Sequence, residues 1–129
     1  MTFADARARY RRTETVDFQV VDDPHQIILV TLRELLRSLR ALAAASEAGG
    51  SYPDQHLNRA LTAIYILQSS LDFEKGGEIA DNLFSVYEFC RAQVAAAFRR
   101  EAGAKLGEAA GHIGTILDAW EQIGPQGRP

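Results

Sequence analysis

Three histidines, one cysteine and a set of scattered carboxylates are the residues with the chemistry for catalysis or metal binding, and their spacing limits what they can do. Glu108 and His112 stand four apart, the separation that brings two side chains together on one helix face. A dimetal site in a helical bundle needs several inward Glu residues and a Glu-x-x-His pair on each of two helices. Glu108 falls on the outward side of its segment and no second carboxylate-histidine pair supports it, so the two read as an exposed helix pair. His25 follows Pro24 and His56 stands three residues after Pro53, each in what reads as a first helical turn, which places both at the surface. Cys90 lies on an inward stripe and reads as a small core residue. A glycine-rich phosphate loop needs a strand before it, and no strand-like alternation occurs. The chain is therefore expected to be no enzyme, with no catalytic, cofactor-binding or metal-ligating set.

At 129 residues the chain fits one domain with one core. Hydrophobic residues at 47% and charged residues at 24% are those of a folded protein rather than a disordered one. A net charge of -3 argues against a nucleic-acid binder, which needs a basic surplus to neutralise phosphates. The local exception, Arg7, Arg9, Arg11 and Arg12, is interleaved with Asp5, Glu14 and Asp17 and reads as a solvated mixed-charge segment. One cysteine cannot form an internal disulfide, and no stretch approaches the ~20 apolar residues of a membrane span or has the form of a signal peptide. A cytoplasmic location without membrane insertion follows as the expectation.

Four segments repeat apolar residues at helical spacing. Asp23-Pro24 supplies a cap and a first-turn proline for the first, with Ile28, Leu29, Leu32, Leu35, Leu36, Leu39, Leu42 and Ala43 on one arc. Gly49-Gly50 breaks it. Pro53 opens the second, whose stripe is Leu57, Ala60, Leu61, Ile64, Leu67 and Leu71. The third is expected from about Glu78 to Arg100, with Ile79, Ala80, Leu83, Tyr87, Cys90, Val94, Ala97 and Phe98 inward, after a turn in which Gly76-Gly77 permits positive φ. The fourth, about Ala104 to Ile123, turns Leu106, Ala109, Ala110, Ile113, Ile116, Leu117 and Trp120 inward and stops at Gly124-Pro125. The predicted fold class is all-α: an antiparallel four-helix bundle over 23–124, an irregular or short-helical N-terminal arm over 1–22 and a disordered tail over 125–129.

The turn Leu71-Asp-Phe-Glu-Lys-Gly-Gly-Glu-Ile-Ala-Asp-Asn-Leu83, running on to Val86-Tyr87-Glu88-Phe89, resembles the signature of the flagellar secretion chaperones, the FliS-type family that escorts flagellin. Pro24-His25-Gln26-Ile27-Ile28-Leu29-Val30 resembles the opening of that family's first long helix, and Tyr10 stands where its N-terminal tyrosine tends to lie. Leu117-Asp118-Ala119-Trp120 is a weaker third likeness. Asp23 replaces the usual Ser before Pro24, Thr31-Leu32-Arg33-Glu34 departs from the family's pattern, and the outer glycines of the last helix are unusual. The resemblance implies a cytosolic chaperone that binds the C-terminal segment of flagellin, prevents early polymerisation and aids delivery to the flagellar export apparatus. A homodimer stays open. The alternative from another class is a homo-oligomeric helical-bundle adaptor or structural module without an export client. A phosphotransfer bundle is a remote third reading, since its reactive histidine is usually followed by Lys-Gly; Leu-Asn-Arg-Ala follows His56 and Ile-Gly-Thr-Ile follows His112.

A disordered client can lay an amphipathic helix into an apolar groove on a bundle. Ile27 and Val30 lie off the seam of the first helix and Ile66 off that of the second. Fully buried, the three would yield roughly 4 to 9 kcal/mol against about 2 to 5 for ordering the client. Phe89 and the outward glycines Gly107, Gly111 and Gly114 are the further candidate contacts. Tyr10, with Val16 and Phe18, is expected to act within an arm that covers the groove.

Overall fold

Pro24 cannot donate from its backbone and Asp23 can accept, and this pair starts the first helix of the computed structural model, which describes residues 23–124. Tyr10, the arm over 1–22 and the tail over 125–129 lie outside the described residues. Helix α1 is Pro24–Glu47, α2 is Asp54–Ser69, α3 is Phe73–Phe98 and α4 is Leu106–Ile123. The Asp23 carboxylate accepts the His25 backbone N–H at 3.0 Å. Gly49, at φ 70°, ends α1, where the Gly50 N–H reaches back to the Ala45 carbonyl at 3.0 Å. Short connections reverse the chain three times. Helix α1 packs against α2 and α4, and α3 closes the ring against the same two, which makes an antiparallel four-helix bundle.

The seam residues fill the centre. Leu32, Leu35, Leu39 and Leu42 of α1 are wholly buried against Ile64 of α2, Cys90 and Val94 of α3, and Ile113 of α4. Ile28, Ala43, Leu61, Leu71, Leu83, Ile116 and Trp120 are partly buried at the margin of this cluster. Ala63, left off the predicted stripe, belongs to the core.

Helix α3 departs from expectation at its start. Asp72, rather than the glycine pair, sets the boundary, its carboxylate accepting the N–H groups of Glu74 and Lys75 at 3.1 and 3.0 Å. One helical turn follows before Gly77 breaks the helix at φ 49°, ψ −124°. The rings of Phe73 and Phe84 meet edge to face across that break, 5.9 Å between centroids. Ile79 and Phe98, both expected inward, are 71% and 58% exposed. Each stands near an end of the body of α3, and beside Ile79 it is Ala80 that takes the buried place.

Candidate functional site

His25 shows how the ends of the bundle are joined. It is buried, contrary to the surface position expected of a first-turn residue. Its ring stacks on Trp120 of α4, 4.8 Å between centroids and 10° from parallel, and the Trp120 Nε1–H donates to the His25 carbonyl at 3.0 Å. The partner lies 95 residues away in sequence, so no local signal pointed to it. The stack fixes the first turn of α1, and hence the residues that follow it.

The next turn of α1 forms one wall of an apolar groove of about 410 Å³ between α1 and α2. Val30 and Glu34 stand one turn apart on that wall; Arg59, Thr62 and Ile66 recur at helical spacing on the other, with buried Ala63 between them. The small Ala63 side chain leaves room where a leucine would fill. Val30 is 42% and Ile66 39% exposed. Ile27, 40% exposed, lies one turn before Val30, and its carbonyl accepts the Thr31 hydroxyl at 2.7 Å. At the rim Glu34 is flanked by Arg37 at 3.7 Å and by Arg59 of α2 at 4.0 Å. Exposed pairs of this length contribute little to stability; they leave charged groups beside an apolar floor.

The remaining predicted residues lie elsewhere. Gly107, Gly111 and Gly114 line a separate depression of about 540 Å³ between α1 and α4, with Ala43, Ala44 and Ala110. A Cβ built on any of the three glycines meets nothing within 4 Å, so packing inside the chain does not require them to be glycine. Phe89 is half-buried between α3 and α4, its ring edge to face with His112 at 5.5 Å. It is not the freely outward residue expected, because the ring folds down onto α4. Val30 and Ile66 thus share a groove that Ile27 flanks, while Phe89 and the glycines are on other faces of the bundle.

Burial holds two of the groups with reactive chemistry, Cys90 and Tyr87, in their protonated forms. Burial pushes the Cys90 thiol up to about 12, and its Sγ sits 3.8 Å from the Ala109 carbonyl. Burial likewise raises the Tyr87 phenol to about 12. Glu108 and His112 are an exposed pair at 3.8 Å. Glu88 is drawn down to about 2 by the Arg91 guanidinium and the Gln68 amide, the latter a tie from α3 to α2 at 2.9 Å. Among the described residues no group of three or more His, Cys, Asp or Glu could hold a metal ion. No described helix is long and apolar enough to cross a membrane.

The sequence profile of the family described as Flagellar protein FliS matches residues 4–127, nearly the whole chain. The chain belongs to the FliS family. It is similar to the Flagellar secretion chaperone FliS of Vibrio cholerae serotype O1, 31% identical over 114 residues that cover 87% of this chain and 84% of the relative. It is also similar to the Flagellar secretion chaperone FliS of Salmonella typhimurium, 38% identical over 60 residues, or 46% of this chain and 44% of that one. No solved structure gave a significant match. Membership in the FliS family agrees with the all-α bundle and with the likeness read from the turn at Leu71 to Leu83.

Proposed function

We propose that this FliS-family chain is a cytosolic, non-enzymatic chaperone that holds the C-terminal segment of flagellin, keeps it from polymerising early and helps pass it to the flagellar export apparatus. The observation that carries this reading is the groove at Val30 and Ile66: an apolar channel open along its length, as an amphipathic helix of a client needs. Side-chain exposures limit what it can contribute. Ile27, Val30 and Ile66 are already about 60% buried, so covering the rest yields roughly 2 to 4 kcal/mol in all rather than the 4 to 9 of full burial. Ordering a disordered client costs about 2 to 5 kcal/mol. The groove therefore registers one client helix, and further contacts supply the surplus. The α1–α4 depression at Gly107, Gly111 and Gly114, and the region of Phe89, are the places for a client that wraps the bundle.

Mixing the purified chain with monomeric flagellin, and with flagellin shortened at its C-terminus, tests this by size exclusion. Co-elution with the intact protein alone is expected. Co-elution with neither, while the chain elutes as a stable oligomer, would favour the homo-oligomeric adaptor.

A further inference from the structure

Across the bundle from α1, the start of α3 exposes aromatic surface inside a concentration of negative charge. Phe73 is 48% and Phe84 38% exposed, although their rings pack on each other. Around them stand Asp72, Glu74, Glu78 and Asp81 against the single Lys75, a surplus equal to the net charge of the whole chain, -3. All five are exposed, and none is in an ion pair among the described residues. Many carboxylates elsewhere are matched, Glu34 with Arg37 and Arg59, Glu88 with Arg91, Glu101 with Arg99 and Glu121 with Arg33, and those that are not, such as Glu47, Asp54 and Asp118, are scattered rather than grouped about an exposed ring pair. Asp72 has a structural task as the helix cap, and a first-turn carboxylate at Glu74 suits the helix dipole. Glu78 and Asp81 open the helix after the break and gain from its dipole, but they stand three apart, repel one another and have no cationic partner among the described residues.

We infer that the exposed Phe73–Phe84 ring pair, framed by Glu74, Glu78 and Asp81, is a docking surface for a basic amphipathic segment of a partner protein. An apolar side chain of that segment covers the rings while its lysines or arginines meet the three carboxylates. The charge selects the occupant. Nucleic acid and anionic membrane are repelled by it, and the carboxylates are not grouped to hold a metal ion. The surface stands apart from the α1–α2 groove, so it can be engaged while a client is held, and the inference does not rest on what that client is.

The test uses the full chain and two labelled synthetic amphipathic helices of equal length, one with lysines four apart beside a leucine face and one with glutamates in their place, followed by fluorescence anisotropy. The basic peptide is expected to bind, and to weaken towards 1 M salt, where the screening length falls to about 3 Å. Replacing Glu74→Gln, Glu78→Gln and Asp81→Asn together should weaken it roughly tenfold, and Phe73→Ser should weaken it with the charges intact. A control that removes as much charge away from every surface assigned to binding, Asp54→Asn, Glu101→Gln and Glu121→Gln, should change affinity by less than about twofold. Asp72 is left in place so that the helix cap survives. Equal binding of the two peptides, equal weakening by the control, or self-association of the chain lost in the triple variant would overturn the inference.

Discussion

Replacing Gly77 by alanine separates backbone strain from packing, because a Cβ built there meets nothing within 4 Å. Its whole cost must come from φ 49°, ψ −124°, a combination that a residue with a side chain avoids. Holding such a residue there costs on the order of 1 to 3 kcal/mol, a large share of the 5 to 15 that a domain typically has. At roughly 4 to 8 °C per kcal/mol for a bundle of this size, the thermal midpoint should fall by ~5 to 20 °C. Gly111→Ala is the matched control, since it also meets empty space but lies within α4 in ordinary helical conformation. It should gain up to about 1 kcal/mol from helix propensity. Circular dichroism melts, with urea titration to obtain the slope, measure both. If Gly77→Ala melts at or above the wild-type midpoint, the break at Gly77 is not a strained position and the account of the α3 start is wrong.

Other expected outcomes rest on single contacts. Arg100 takes φ 59° at the end of α3, where the Glu101 N–H returns to the Ala96 carbonyl, so Arg100→Gly should stabilise by about 1 kcal/mol, read as a higher melting midpoint. Trp120→Phe keeps a ring on His25 but removes the Nε1–H donor, and should cost roughly 0.5 to 1.5 kcal/mol in chemical denaturation. The buried Cys90 thiol, pushed up to about 12, should resist a thiol reagent at neutral pH in the folded chain and react promptly in denaturant.

The four seams were legible because leucines and alanines recur at three and four residues, and a buried stripe tolerates little else. The start of α3 was not: Gly76-Gly77 looked like a helix boundary, yet Asp72 offers a carboxylate to two free N–H groups and draws one turn of helix ahead of the break. Periodicity also cannot say where a neighbouring helix ends, which is why Ile79 and Phe98 were placed inside. His25 depended on a tryptophan at the far end of the chain, and Phe89 on a histidine of the next helix. Of the candidate client surface, Val30 and Ile66 could be found as apolar residues off the seam. That they share a groove follows from the antiparallel pairing of α1 and α2. That the glycines line a different depression could not be read from one helix alone.

Calorimetric titration of flagellin into the Ile27→Asp, Ile66→Asp double variant, with its melting midpoint measured alongside, shows whether the surface at Ile27, Val30 and Ile66 receives the client. Both side chains are about 40% exposed and absent from the central core, so the fold should survive with a small change in midpoint. A carboxylate at each apolar contact removes the burial and adds a desolvation cost, and affinity should drop at least tenfold, about 1.4 kcal/mol. Wild-type affinity in a folded double variant would show that the surface does not receive the client.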